Sequence, residues 1–258
     1  MEEFKQANQS TQAVFRIIET MAEHGHPIGV SDLARRLGMP RARVFRFLRT
    51  LLSIGYVSQD PQTEHYRLTL KLYHVGQAVA DSTALVTEAR PVLMRLRDDV
   101  GQSVSLSIIE REGVRILDLL RVETTIQVVL RPGALLPFHA SAQGKIAMAY
   151  GDAEVWRHVR SAPLKPLTEH SCTDMVELQA RVQAVRARGW ADAPQEILLG
   201  LNGLAAPVFD ATGRLAATIA VVGLINNVTS PPSDDLVARI RSAADSISTR
   251  LGGTGIPR

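Results

Sequence analysis

The order of predicted elements in the N-terminal part of the chain constrains its fold more than any other feature. Apolar residues recur at the spacing of one helix face from Ser10, and Gly25 ends this first helix. Ser31 is suited to be the N-cap of a short second helix. The turn Gly38-Met39-Pro40 leads into a third helix, which Gly55 stops. Three consecutive helices joined by tight turns are therefore expected.

A β-hairpin is predicted directly after the third helix. Tyr56 to Gln59 and His65 to Leu68 have the pattern of two short strands, and the residues between them are rich in turn formers. Three helices followed by a hairpin is the order of a winged helix-turn-helix. This DNA-binding fold is therefore expected over residues 10–69.

Positive charge is concentrated on the predicted second and third helices. Between Arg35 and Arg49 the sequence has six arginines and no acidic residue. The guanidinium group offers planar donors that suit phosphate oxygens and the O6/N7 edge of guanine, so double-stranded DNA is the expected partner. A solvated helix face is the alternative for an isolated run of charges. The turn, the helix order and the hairpin together favour DNA binding.

The predicted DNA contacts fall into three groups. One face of the third helix is expected to reach base edges through Arg43, Arg46 and Thr50. A second group is expected to bind phosphates: Ser31, Arg35, Arg36, Arg41 and Arg49. His65 and Arg67 lie on the hairpin, where a wing meets the flanking backbone or the minor groove.

The pattern changes in the C-terminal part of the chain. A connecting helix is predicted over residues 70–84, followed by a mixed α/β domain over residues 85–251. Its predicted elements are a helix at 89–100, strands at 103–110, 114–121 and 125–130, helices from 141 and at 175–188, strands at 203–210 and 214–223, and a helix at 233–251. A largely antiparallel sheet flanked by helices is the simplest arrangement. Residues 1–9 and 252–258 are expected to be flexible tails.

A second candidate site lies where a loop enters the helix near Ser141. The small residues Ala142 and Gly144, with Gln143 between them, leave backbone N–H groups free to face an anionic ligand at the helix N-terminus. This is not a phosphate-binding P-loop, because its first glycine and the Ser/Thr after Lys145 are missing. The alternative is a helix cap packed under a sheet, and spacing alone leaves both open.

Several classes of protein and site are not favoured. Cys172 is the sole cysteine, so no disulfide or cysteine-based metal site is expected, and no cofactor is predicted. No catalytic pattern emerges: a hydrolase using Ser141 or Cys172 is the weaker rival. The N-terminus lacks a signal peptide and no apolar run is long enough to span a bilayer. A cytoplasmic protein with no membrane partner is predicted.

Taken in order, several segments resemble the IclR family of bacterial transcriptional regulators from about Ser10 to Leu251. In the N-terminal part they are Val30 to Pro40, Val44-Phe45-Arg46-Phe47-Leu48, Gly55-Tyr56-Val57 and Tyr66-Arg67-Leu68. In the C-terminal part they are His139 to Lys145, Gly189-Trp190, Gln195-Glu196 and Leu204 to Asp210. The resemblance adds Phe45 to the expected DNA contacts.

The resemblance implies an α+β protein with an N-terminal winged helix-turn-helix, a linker helix and a C-terminal GAF-like effector-binding domain. It also implies homodimers or tetramers on (pseudo)palindromic operators, often near catabolic genes. The effector site that it implies comprises Ile126, Val128, Leu136, Ala142, Gln143, Gly144, Ala193, Leu201, Gly203, Ala220 and Val222.

Two departures from the family's pattern bear on function. Arg43 stands where the family usually has Thr, and we expect it to alter the base preference or to add a phosphate contact. Polar pocket side chains are replaced by Ala193, Gly203, Ala220 and Val222, which leaves an apolar cavity. The expected effector therefore has an apolar or aromatic body and one polar or anionic tip. A C-terminal domain that only oligomerises is the alternative.

Overall fold

The computed structural model describes residues 8–81, 84–122 and 130–253. The chain divides into two compact units, residues 1–82 and 83–258. The first unit contains α1 (Gln9–His24), α2 (Val30–Leu37), α3 (Arg41–Ser53), β1 (Val57–Gln59), β2 (Tyr66–Leu68) and α4 (Leu70–Asp81). The strands β1 and β2 pair antiparallel. This order confirms the predicted winged helix-turn-helix.

The helix α2 begins earlier in the chain than predicted. The prediction that Ser31 caps this helix is wrong, because α2 already begins at Val30 and its N-cap is Gly29. Ile28 exchanges two backbone hydrogen bonds of 2.9 Å with Tyr66 of the hairpin. This bridge holds the chain extended up to Gly29, so the helix starts directly after it, and Ser31 lies exposed in the first turn.

One apolar core holds the first unit together. Ile17, Leu33, Val44, Leu48 and Tyr66 are almost completely buried in it. Each helix turns its apolar stripe inward, so the opposite, arginine-bearing faces of α2 and α3 lie toward solvent.

The second unit is built on a six-stranded antiparallel sheet with the order β5-β4-β3-β8-β7-β6. Its strands are β3 (Ser103–Ile109), β4 (Val114–Leu120), β5 (Leu135–Leu136), β6 (Ala191–Asp192), β7 (Leu201–Phe209) and β8 (Leu215–Leu224). Its helices are α5 (Ala84–Val100), α6 (Ala142–Tyr150), α7 (Ala153–Arg160), α8 (Met175–Arg188) and α9 (Asp234–Arg250). This confirms the α/β effector-domain fold. None of the helices in the described ranges is both long and apolar enough to cross a membrane.

The short elements α7, β5 and β6 were not predicted from the sequence. The strand predicted at 125–130 falls almost entirely outside the described residues. Helices cover the sheet on both faces: α5 and α9 pack on one face, and α6 packs on the other with α8 against it.

The helix α6 is inserted deeply between the sheet and α8. Eight of its nine residues are buried. Gly144 makes the close approach possible, since a Cβ atom there would lie 2.3 Å from the carbonyl oxygen of Phe138. The first turn of α6 is thereby pressed against the loop that precedes it.

A buried ion pair fixes this first turn to the rest of the second unit. The ammonium group of Lys145 donates to a carboxylate oxygen of Glu196 and, at 2.9 Å, to the backbone carbonyl of Asp192. The two side chains are only 4% and 1% exposed. Arg181 of α8 also reaches Glu196, at 3.2 Å. Burial lowers the pKa of Lys145, while the neighbouring Glu196 carboxylate acts in the opposite direction.

We expect Lys145→Ala to lower the free energy of unfolding by about 3–5 kcal/mol, because it leaves the Glu196 carboxylate buried with only Arg181 as counter-charge. Lys165→Ala is the matched control, since Lys165 is exposed and should change stability by less than about 0.5 kcal/mol. Urea denaturation followed by circular dichroism measures both. Equal stability of the two variants would show that the buried pair contributes nothing.

Candidate functional site

The arginines of α2 and α3 form one exposed surface. Arg35, Arg36, Arg41, Arg46 and Arg49 are all exposed, and Arg43 is half-buried. The guanidinium carbons of Arg43 and Arg46 lie 5.7 and 5.8 Å from the centre of the Phe47 ring. Two cations held at one aromatic ring have fewer conformations to lose on binding.

Most of these guanidinium groups form no ion pair within the described residues and are available to bind a polyanion. Arg35 forms an exposed ion pair with Asp32 at 2.7 Å. Within the described ranges, the arginines at positions 36, 41, 43, 46 and 49 take part in no ion pair. Thr50 is exposed and donates its hydroxyl proton to the Arg46 carbonyl at 3.2 Å, which leaves its oxygen available as an acceptor.

Two further predicted contacts are positioned by the hairpin. The turn between β1 and β2 is closed by Asp60, whose carboxylate accepts from the backbone of Gln62 and Thr63. These bonds lower the pKa of Asp60. His65 follows the turn, is exposed, and lies 3.4 Å from where a Cβ atom of Gly29 would be, so its ring is beside the start of α2. Arg67 is exposed on β2 and donates to Ser58 at 3.1 Å.

Phe45 is the exposed apolar residue among the predicted contacts. It projects from α3 with 44% of its surface accessible, although its neighbours Val44 and Phe47 are buried. The ring is therefore accessible on the same helix as Arg43 and Arg46.

In the second unit, the N-terminus of α6 lies buried against the sheet. Ser141 caps the helix: its hydroxyl accepts from the backbone N–H of Gly144 at 2.9 Å and donates to the carbonyl of Pro137 at 2.6 Å. The backbone N–H groups of Ala142 and Gln143 have no hydrogen-bond partner among the described residues. Buried, unpartnered N–H groups at a helix N-terminus favour an anion.

The sheet beneath this turn is lined by small and apolar residues. Gly203 lies opposite Val222, and Ala142 is within 3.8 Å of where a Cβ atom of Gly203 would be. The backbone N–H of Ala193 donates to the carbonyl of Gly203 at 3.1 Å. Six predicted effector residues therefore meet at this place, together with Gly144 of the same turn: Ala142, Gln143, Ala193, Gly203, Ala220 and Val222.

Ser105 belongs to the same place and was missed from the sequence. Its hydroxyl accepts from the side-chain amide of Gln143 at 3.3 Å, and it lies opposite Ala220 in the sheet. The alternation of serine with apolar residues from Ser103 to Ser107 is the signal that could have identified this face of β3.

The other predicted effector residues are Leu201, Leu136, Ile126 and Val128. Leu201 is half-buried and pairs with Leu224, two residues along β7 from Gly203. Leu136 is buried on β5, the edge strand of the sheet, where it pairs with Val114. Ile126 and Val128 lie outside the described residues.

The side chains named for a hydrolase are poorly placed for catalysis. The Ser141 hydroxyl is buried, and it already donates one hydrogen bond and accepts another. Cys172 is buried, and burial raises the pKa of its thiol. In the described ranges no group of three His, Cys, Asp or Glu residues could hold a metal ion.

The chain matches two family descriptions and several known regulators. Residues 10–61 match the IclR helix-turn-helix domain, and residues 77–249 match the bacterial transcriptional regulator IclR C-terminal domain. The Pca regulon regulatory protein of Pseudomonas putida is 33% identical over 217 residues, which cover 83% of this chain and 73% of that protein. The regulator KdgR of Dickeya chrysanthemi is 28% identical over 244 residues, covering 94% of this chain and 80% of that protein.

Solved structures agree with these matches. An IclR homolog from Microbacterium hydrocarbonoxydans, crystallised in complex with 4-hydroxybenzoate, has a TM-score of 0.84 at 26% identity and covers 94% of this chain and 99% of that one. An IclR transcriptional regulator from Alicyclobacillus acidocaldarius has a TM-score of 0.85 at 25% identity, covering 96% of this chain and 100% of that one. The family matches extend over more than half of the sequence, and this chain belongs to the IclR family of transcriptional regulators.

Proposed function

We propose that this chain is a ligand-responsive regulator of catabolic genes that binds a (pseudo)palindromic DNA operator as paired chains. In this proposal residues 10–69 bind DNA, residues 70–84 connect the two parts, and residues 85–251 bind a small organic acid. The observation that carries it is that two features occur in one chain. The arginine surface of α2 and α3 is exposed, and the N–H groups of Ala142 and Gln143 at the start of α6 are buried without a partner among the described residues.

The helix α3 is the proposed recognition helix. Arg43, Arg46 and Thr50 contact base edges in the major groove, and Phe45 supplies an apolar contact of the kind that thymine methyl groups favour. The phosphate contacts come from Ser31, Arg35, Arg36, Arg41 and Arg49, and the wing contacts from His65 and Arg67. Free guanidinium groups on one face of a winged helix-turn-helix support this assignment.

The proposed effector is an apolar or aromatic carboxylate. Its anionic tip accepts hydrogen bonds from the N–H groups of Ala142 and Gln143, and its body lies against Gly203, Ala220 and Val222. Gly203, Ala220 and Val222 offer no polar side chain to a small hydrophilic acid. The likeness to a homolog crystallised with 4-hydroxybenzoate supports an aromatic acid.

Regulation is proposed to be a shift between two populations of the protein. An effector that binds one conformation of the second unit more tightly than another changes the fraction of chains able to bind DNA. The change would reach the first unit through the connecting segment and through contacts between paired chains.

Arg46→Ala should weaken operator binding by about 1–3 kcal/mol, the cost of losing one base contact. Arg16→Ala is the matched control: it removes the same charge from an exposed position on α1 and should leave affinity nearly unchanged. Fluorescence anisotropy with a labelled operator, repeated over a range of salt concentrations, measures both. Affinity and salt dependence unaltered in Arg46→Ala would remove α3 from the DNA interface.

Benzoate or 4-hydroxybenzoate should bind more tightly than pyruvate or glyoxylate, because the lining of the proposed site is apolar. Gly203→Val fills the space between Ala142 and Val222 and should abolish benzoate binding while operator binding is retained. Isothermal titration calorimetry gives the affinities. Tighter binding of glyoxylate than of benzoate would contradict the proposed effector class.

A second unit that only associates chains is the remaining alternative. A ligand that binds only the folded protein raises its melting temperature, and the increase depends on the ligand concentration relative to Kd. If aromatic and short-chain acids all leave the melting temperature unchanged, the alternative is favoured over an effector site.

A further inference from the structure

The ring of Phe47 is close to two arginines of α3. The guanidinium carbons of Arg43 and Arg46 lie 5.7 and 5.8 Å from its centre. A cation within about 6 Å of an aromatic ring centre is attracted to the negative face of the ring. Among the arginines of α2 and α3, which all belong to the described part of the chain, these two alone have a ring contact. The arginines proposed to reach base edges therefore share one support.

The Phe47 ring is fixed by the apolar core of the first unit. It is 8% exposed, and its neighbours Val44 and Leu48 on α3 are completely buried. A side chain in a close-packed core keeps one rotamer. A guanidinium group that stacks on such a ring through its flat face keeps the donors at its edge free. The ring can thus hold both arginines without using the groups that would bind a base.

No carboxylate within the described recognition segment competes for these two arginines. The nearest acidic residue before them, Asp32, is bound to Arg35 at 2.7 Å, and the next one after them is Asp60 in the turn of the hairpin. Two like charges held at one ring repel each other, so they favour a partner with electronegative atoms. The O6 and N7 atoms of guanine accept two hydrogen bonds from one arginine.

The spacing of the two arginines matches the spacing of base pairs. Arg43 and Arg46 are the third and sixth residues of α3, in the part of a recognition helix that contacts base edges. Three residues advance an α-helix by about 4.5 Å, and neighbouring base pairs are about 3.4 Å apart. The two guanidinium groups are therefore suited to neighbouring base pairs.

We propose that Phe47 is a positioning residue that orients Arg43 and Arg46 toward two neighbouring G·C pairs in each half of the operator. The proposal rests on the proposed function, because it requires α3 to be the recognition helix. It also assigns Arg43 to a base and not to a phosphate, since a phosphate contact would draw its guanidinium group away from the ring. A threonine at this position has no cation for the ring to hold.

The operator itself is the first test. The full chain is used to select bound duplexes from a random-sequence DNA library, and the selected duplexes are sequenced. Each selected half-site should contain two neighbouring G·C pairs, and replacing either pair by A·T should weaken binding about ten-fold or more in fluorescence anisotropy. Arg43→Thr should remove the preference at one of these pairs, and Arg46→Ala should remove it at the other.

The role of Phe47 is tested by its effect on discrimination between G·C and A·T. Phe47→Leu should lower discrimination by about five- to thirty-fold over the two pairs together, the effect of losing two cation–ring contacts. Ile17→Val is the matched control: it removes a methylene group from the same core at a completely buried position, so it should lower stability and leave base preference unchanged.

Fluorinated phenylalanines at position 47 replace Phe47→Leu as the test if that variant does not fold. Fluorine weakens the negative face of the ring while nearly preserving its shape, so discrimination should fall with each fluorine added, from one to three. Melting temperatures verify that each protein is folded. Discrimination that is unchanged by fluorination would remove Phe47 from base readout.

The remaining outcomes separate this proposal from the proposed function. Selected half-sites without neighbouring G·C pairs, or an equal loss of discrimination in Ile17→Val, would overturn the proposal alone. Uniform weakening across all sequences in Arg43→Thr, with a smaller salt dependence, would assign Arg43 to a phosphate and overturn it as well. A parent chain that selects no DNA sequence would contradict the proposed function together with this proposal.

Discussion

The buried ion pair between Lys145 and Glu196 is the interaction on which the second unit depends. Each charge loses its water on burial, so the pair persists only because each ion is the partner of the other. The pair joins α6 to the turn between β6 and β7, and Arg181 adds α8 to the same contact. The proposed effector site at α6 is therefore supported by this cluster of charges.

Small residues place this cluster where it can act. Gly144 lets α6 approach the Phe138 backbone closely, and Gly203 leaves space under Ala142. A side chain at Gly144 would collide with the backbone of Pro137 and Phe138 and push the first turn of α6 away from that loop. The small residues that make the lining of the proposed effector site apolar also leave the first turn of α6 open to a ligand.

Features fixed by local periodicity were predictable, and features fixed by distant contacts were not. The three N-terminal helices, the hairpin and the outward arginines follow from apolar spacing and turn residues close in sequence. The start of α2 was misplaced because a bridge between Ile28 and Tyr66 determines it. Ser105 beside Gln143, and Glu196 beside Lys145, are paired across 38 and 51 positions, and no local pattern reports such contacts. Strands of two residues, such as β5 and β6, are too short for alternation to identify.

Lys145 follows Gln143 by two residues, so the N–H groups proposed to hold the effector lie in the same helical turn as the buried ion pair. The pair fixes this turn to Glu196, and Arg181 of α8 contacts the same carboxylate. The geometry of the proposed effector site therefore depends on contacts that lie outside the first turn of α6, which is why the residues at this turn alone do not define it.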